Sequence, residues 1–195
     1  MKKLLISGFE PFGGESINPS WEAVKLLPDT IGDYALTKIC LPVVFGEAVK
    51  TLLYTAKSVK PDVILCIGQA GGRSVVTPEY VGINLRHASI PDNAGNQPSD
   101  EAIAPGGENA YFATVPVRKM TAAIAAAGIP AQVSYSAGTY VCNELLYSLL
   151  HHYVGTETRA GFIHIPYIPA QEKAPALPLE QLTQALILAI EQLNQ

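Results

Sequence analysis

Three cysteines and four histidines carry most of the nucleophilic and general-base chemistry open to this chain, and their neighbours separate them. Cys40 and Cys66 lie inside apolar, strand-like runs, where a cysteine usually serves as a small inert core residue. Cys142 differs. It follows Ala137-Gly138-Thr139-Tyr140-Val141 and opens a segment with Leu145, Leu146, Leu149 and Leu150 at helical spacing. A thiol at a helix start faces unpaired N–H groups and the positive end of the dipole, which is expected to lower its pKa from about 8.5 towards 7 or below. The same N–H groups can hold the oxyanion of a tetrahedral intermediate. The expected chemistry is thiolate attack on an acyl carbon, with a buried structural cysteine as the competing reading.

A thiol nucleophile needs a base. His151 and His152 fall late in the Cys142 helix, about 13 to 15 Å along its axis at about 1.5 Å per residue, out of reach of its first turn. His87 opens a long irregular segment. His164 alternates with Phe162 and Pro166 on one side of a strand, opposite Ile163 and Ile165, and is the one ionisable residue of Gly161-Phe162-Ile163-His164-Ile165-Pro166-Tyr167. A polar residue there needs a partner: either the thiol, or a backbone carbonyl that satisfies it as a core histidine. Glu79, just beyond a glycine-rich turn, is the best candidate to orient the imidazole, unless it is an exposed charge at a strand end. No HExxH or paired CxxC spacing is present, so no metal is expected, and no cofactor.

Ligands in open α/β sheets bind beyond the carboxyl ends of strands. Two turns have that position: Gly8-Phe9-Glu10-Pro11-Phe12-Gly13-Gly14 and Gln69-Ala70-Gly71-Gly72-Arg73. Neither carries the GxxxxGK(S/T) or GxGxxG spacing of a phosphate loop, so a nucleotide enzyme is the weaker reading. Phe9 and Phe12 suggest an apolar pocket for a small uncharged group, or simply pin the turn to the core.

The elements that must position these groups are short apolar runs at 4–7, 37–43, 62–68, 80–85, 131–136 and 161–166, read as strands. Helical spacing marks 19–27, 117–127, 142–153 and 179–193, and Val49, Leu52, Leu53, Ala56 and Val59 define one buried helical face. Alternation of the two predicts a single-domain, three-layer α/β sandwich over 1–195, a twisted and largely parallel or mixed sheet with helices on both faces. The segment 87–107, rich in Pro, Gly, Asn and Asp, has no period and is read as a long loop of the kind that covers a site or meets another subunit.

The chain has 195 residues, 15% of them charged, with a net charge of −4 and a mean hydropathy of +0.20. Without a Lys/Arg cluster, nucleic acid is not an expected partner. No apolar run approaches the roughly 20 residues that cross a bilayer, so no membrane is expected either. The short apolar stretch after Met1-Lys2-Lys3 does not resemble a secretion signal. With three cysteines and no CxxC pair, a reduced compartment, the cytoplasm, is expected.

Five segments occur in one order: the first turn with Asn18-Pro19-Ser20; Gly68 to Arg73; Ile90-Pro91-Asp92-Asn93-Ala94-Gly95-Asn96-Gln97-Pro98; Ser136-Ala137-Gly138-Thr139-Tyr140-Val141-Cys142-Asn143; and Gly161 to Tyr167. Together they resemble pyroglutamyl peptidase I, a family of cysteine exopeptidases, from the first strand to about Gln171. The resemblance implies Cys142, His164 and Glu79 as catalytic groups. It also implies a lactam pocket of Phe9, Phe12, Gln69, Tyr140 and Val141, with Asn18 bracing the first turn. Peptides with an N-terminal pyroglutamate would be the substrates, and a homo-oligomer, commonly a tetramer, the assembly.

Two positions depart from the resemblance. Tyr80 stands where many members have an arginine after the glutamate, and Ser89 replaces the arginine of a loop that reads DARIPDN. That second arginine is implied to help polarise the scissile carbonyl. Arg73 and Arg86 are the candidates to replace it, and a catalytically weakened pyroglutamyl- or peptide-binding protein stays open as the alternative.

Overall fold

The computed structural model describes residues 1–194. A six-stranded sheet forms its middle layer. Four parallel strands lie in the order β3 (Tyr34–Leu41), β1 (Lys2–Phe9), β4 (Val63–Gln69), β8 (Arg159–Ile165). Short antiparallel strands close the two edges, β2 (Thr30–Ile31) beside β3 and β5 (Thr77–Pro78) beside β8. The sheet is therefore mixed, as expected, with its parallel part in the centre. β1 and β4 are buried on both faces, which is why Leu4-Leu5-Ile6 and Val63-Ile64-Leu65-Cys66-Ile67 read as continuous apolar runs rather than alternating ones.

Each face of the sheet has its own core. On one side Leu4, Ile6, Leu65, Ile67, Ile163 and Ile165 pack under α1 (Pro19–Leu26), α3 (Val117–Ala126) and α5 (Leu179–Glu191). On the other, Leu5, Ile64, Cys66 and Phe162 pack under α2 (Glu47–Val59) and α4 (Val141–His152). Full burial of each Leu or Ile contributes roughly 1.5–3 kcal/mol. The helices start where local chemistry dictates. Asn18 caps α1 by accepting from Ser20 N at 3.0 Å, and Pro19 occupies its first position.

Two expected strands need correction. The run at 80–85 forms only β6 (Val81–Ile83), which pairs with β7 (Ala110–Phe112) in a separate two-stranded sheet rather than with the main one. Asn143 holds it there against α4: its side chain accepts from Ile83 N at 3.0 Å and donates to the Ile83 and Leu85 carbonyls at 2.9 Å each. The run at 131–136 is reduced to two isolated bridges, Val76 to Ala131 and Glu79 to Ser134. Hydrogen bonds flank the break, with Gln132 N on the Val76 carbonyl and Ser134 N on the Pro78 carbonyl. Pro78, between them, has no N–H to continue the ladder.

Candidate active site

The chain leaves β1 towards β3 on one side and later returns to β4 on the other, so the carboxyl ends of β1 and β4 part and leave a crevice between them. A cavity of about 270 Å³ sits there. It is lined by Phe9 and Phe12 from the first turn, Gln69 to Gly71 from the second, and Tyr140, Val141 and Cys142 from the start of α4, with His164 from β8 and Asn18 and Val43 at its wall. All six expected pocket residues therefore border one space.

Register brings the sulphur and the imidazole to the same face of the sheet and to one cavity. Gly68 lies opposite His164 in the parallel pairing of β4 with β8, so the two positions project to the same face, the one covered by α4. A Cβ on Gly68 would stand 3.0 Å from Cys142 Sγ and 2.7 Å from the Phe162 ring. The missing side chain is what lets the thiol settle over the strand beside His164. Gly71 has a related reason: a Cβ there would come within 2.1 Å of the Tyr167 hydroxyl.

Cys142 is the second residue of α4, whose cap residue Tyr140 makes no side-chain hydrogen bond to the helix. The first-turn N–H groups are thus not consumed by a capping side chain and face the cavity side of the helix start. Glu144, one turn in, is almost fully buried and fixes the helix to its surroundings. It accepts from Gly46 N at 2.7 Å and from Arg86 Nη1 at 3.0 Å.

Behind His164, Glu79 Oε1 lies 2.7 Å from the ring Nδ1. The antiparallel step from β5 puts it there, with Thr77 opposite His164 and Glu79 N bonded to the Phe162 carbonyl. Glu79 is fully buried, not an exposed strand-end charge. Sequence reasoning named Arg73 only as a possible replacement for an arginine and missed its pairing. Its Nη1 donates to Glu79 Oε1 and to Thr77 Oγ1 at 2.6 Å each, and its Nη2 to the Ser136 carbonyl at 2.9 Å. Both candidate arginines are engaged, Arg73 by Glu79 and Arg86 by Glu101 and Glu144, but only Arg73 borders the cavity. Tyr80 turns away into a cluster with Phe112 and Tyr135. Ser89 borders an adjoining hollow that shares Phe12, Gly71 and Tyr140 with the main cavity.

The electrostatics overturn one expectation. Burial pushes the Cys142 thiol up to about 12, with the Glu79 carboxylate adding to the rise, while Arg73 and the residue's own backbone N–H act against it. This direction runs against a thiolate already formed at rest by the helix start. Burial also depresses His164 below its ordinary 6.5, outweighing the hydrogen bond and charge of Glu79, which favour the imidazolium. Glu79 feels burial pushing it up, yet the His164 hydrogen bond and charge, with Ser134 and Arg73, hold it below 4.5. The resting pair is a neutral thiol beside a neutral imidazole, backed by a carboxylate.

The remaining pocket residues divide by what they touch. Asn18 spends its amide on the Glu10 carbonyl at 2.9 Å and on Ser20, which braces the first turn. Tyr140 donates its hydroxyl to the Pro91 carbonyl at 3.1 Å, and Asn93 bonds Glu10 and the Pro11 carbonyl. The segment 87–107 is therefore an outer wall, docked against Tyr140 and the first turn and lining the adjoining hollow rather than the main cavity.

A half-buried thiol and an imidazole on one apolar slot of an α/β sheet, with a carboxylate hydrogen-bonded behind the imidazole, suit a cysteine hydrolase. The family model described as pyroglutamyl peptidase matches residues 2–195, and the chain belongs to that family. It is 50% identical over 194 residues to the pyrrolidone-carboxylate peptidase of Bacillus subtilis, covering 96% of this chain and 90% of the relative. The pyroglutamyl peptidase I structure from Bacillus amyloliquefaciens matches with a TM-score of 0.95 at 47% identity, over 99% of this chain and 97% of that one. The pyrrolidone carboxyl peptidase of Thermococcus litoralis matches with a TM-score of 0.95 at 39% identity, over all of this chain and 94% of that one.

Proposed function

We propose that the chain hydrolyses the bond after an N-terminal pyroglutamyl residue of peptides through a thioester at Cys142. The observation that carries this is the convergence of Cys142 and His164 on one apolar slot, with Glu79 hydrogen-bonded behind the imidazole. A pyroglutamyl end is uncharged. Its ring offers an apolar edge, one N–H and one carbonyl, which suits walls of Phe9, Phe12 and Val141 with a few polar groups.

His164 takes the Cys142 proton as the sulphur attacks the pyroglutamyl carbonyl, since the raised thiol does not ionise beforehand. Glu79 keeps the Nδ1 proton and leaves Nε2 as the base. The N–H groups at the start of α4 hold the oxyanion, a role that contributed about 3 to 4 kcal/mol where one such donor was removed in another enzyme. Collapse of the tetrahedral intermediate breaks the C–N bond, and His164 returns its proton to the departing amine. Water, activated by the same imidazole, then cleaves the thioester, frees pyroglutamate and restores the thiol.

A protein that binds lactams without cleaving them is not favoured. The family match speaks against it, and Cys142 and His164 border one cavity with Glu79 behind the imidazole and Arg73, paired with Glu79, at the cavity edge. We further infer a homo-oligomer, supported by the exposed side chains of Phe112 and Tyr135 packed around Tyr80, and, from the unpaired cysteines, a reducing cytoplasmic setting. Light scattering of the purified chain tests the first. The activity test is release of a fluorescent amine from a pyroglutamyl amide by the wild type and by Cys142→Ala. Equal rates in the two would remove Cys142 from the reaction.

A further inference from the structure

The hydrogen-bond polarity around Gln69 determines which end of its carboxamide faces the cavity. Two contacts lead outwards from it. Gln69 Oε1 lies 2.8 Å from Gln171 Nε2, and Gln171 Oε1 accepts from the backbone N–H of Ile168 at 3.1 Å. A backbone N–H can only donate, so the Gln171 atom beside it must be the oxygen, and the atom turned to Gln69 must be the amide nitrogen. That nitrogen can only donate in turn. Gln69 therefore presents its oxygen to Gln171, which leaves its Nε2 for the cavity that Gln69 borders. Glu15 enforces the same sense, because its Oε2 stands 3.5 Å from Gln171 Nε2 and its carboxylate is held by an ion pair with Lys173.

Gln171 is buried in the single turn Pro169–Gln171 that follows β8, the strand carrying His164. The support for Gln69 is thus built into the same segment as the base. We propose that Gln171 is a positioning residue for substrate recognition, locking Gln69 with its N–H donors towards the substrate so that the site selects a ring carbonyl. This rests on the pyroglutamyl reading above and deepens it. A pyroglutamyl ring offers a carbonyl acceptor to those donors. A prolyl ring has no carbonyl, and its protonated amine would face a donor with a donor.

The substitution that inverts the polarity is Gln171→Glu. A carboxylate accepts from Ile168 but cannot donate to Gln69, so the Gln69 amide turns its nitrogen to residue 171 and its oxygen to the cavity. The expected result is a rise of about 10- to 100-fold in KM for a pyroglutamyl amide and in Ki for 2-pyrrolidinone, the bare lactam. The kcat and the rate of Cys142 alkylation by iodoacetamide should stay within about threefold, a pattern that general damage would not give. Gln171→Met, which avoids a second carboxylate beside Glu15, should raise both constants by a smaller factor, because the amide is then unlocked rather than inverted. In a Gln69→Met background Gln171→Glu should add nothing. Unchanged KM and Ki in folded Gln171 variants, or a loss confined to kcat, would overturn the proposal. If the wild type itself neither cleaves the amide nor binds 2-pyrrolidinone, the proposed function fails instead.

Discussion

Glu79 Oε1 and His164 Nδ1 stand 2.7 Å apart in a shell that leaves the glutamate 0% and the histidine 4% exposed. One carboxylate oxygen serves both the imidazole and Arg73. An arrangement that only satisfied a core histidine would not need a buried carboxylate shared with an arginine. This one holds negative potential beside a ring that must become cationic during the reaction, and is tuned for that moment rather than for the resting state.

The same pair sets the pH profile. His164 acts as a base only when neutral, and burial has pulled its pKa below 6.5. As pH falls, kcat/KM should therefore hold until below 6.5 and then drop through the lowered value. Glu79→Gln removes the influence that raises His164, so the acid limb should move to still lower pH, and the plateau should fall by roughly 10³- to 10⁴-fold as tautomer control is lost. A limb of the wild-type profile at or above 6.5 would contradict the assignment.

Cys142 should react like a masked thiol in the free enzyme. With its pKa pushed up to about 12, alkylation by iodoacetamide should climb about tenfold per pH unit well beyond pH 9. A thiolate–imidazolium pair formed at rest would instead give a rate already level near neutrality. Mass spectrometry of the labelled peptide separates Cys142 from Cys40 and Cys66.

The fold and the positions of Cys142 and His164 on their elements were legible because they rest on local signals. β1, β4 and β8 are apolar runs long enough to stand out, Cys142 marks a helix start, and His164 breaks an apolar alternation. What escaped depends on partners that only the folded chain brings together. β5 has two residues, one of them a proline, and is a strand only because β8 lies beside it. The 131–136 run looked like a strand, and a proline on its neighbour interrupted it. Arg73 and Gln171 look like ordinary polar residues until Glu79 and Gln69 are placed against them, the second pair 102 positions apart. The thiol pKa was misjudged for the same reason: a helix end is visible in sequence, and the burial around it is not.

Gly68 should tolerate no side chain. In Gly68→Ala the new methyl would meet the Phe162 ring at 2.7 Å and Cys142 Sγ at 3.0 Å, with the backbone of β4 unable to retreat between β1 and β8. A loss of about 1 to 3 kcal/mol in stability is expected from overpacking. The rate should suffer beyond that, by at least about tenfold in the folded fraction, because a small displacement of the sulphur from His164 is costly. Thermal melts and active-site titration measure the two separately. Lost stability with an unaltered rate would mean that Gly68 does not place the thiol.

Asp92 should be the anchor of the 87–107 wall. Its Oδ1 accepts from Ala94 N at 2.9 Å and Asn96 N at 2.8 Å, and its Oδ2 from Phe45 N and Asn96 Nδ2 at 2.9 Å each. Burial pushes this carboxyl up, but Asn96 and the N–H groups of Phe45, Asn96 and Ala94 outweigh it and hold the pKa below 3.8. A folded value below the unfolded one means the stabilisation is fully present above about 3.8 and is lost as pH falls through the lower, folded value. Asp92→Asn keeps the shape but turns an N–H₂ group towards donors, so about 1 to 3 kcal/mol should be lost at neutral pH. Because Pro91 receives the Tyr140 hydroxyl and Asn93 grips the first turn, loosening the anchor should widen the slot and raise KM more than it lowers kcat. Limited proteolysis should cut the variant faster within 87–107. Equal cleavage and equal KM in the two proteins would show that the wall is held by its other contacts, and that Asp92 serves only its own turn.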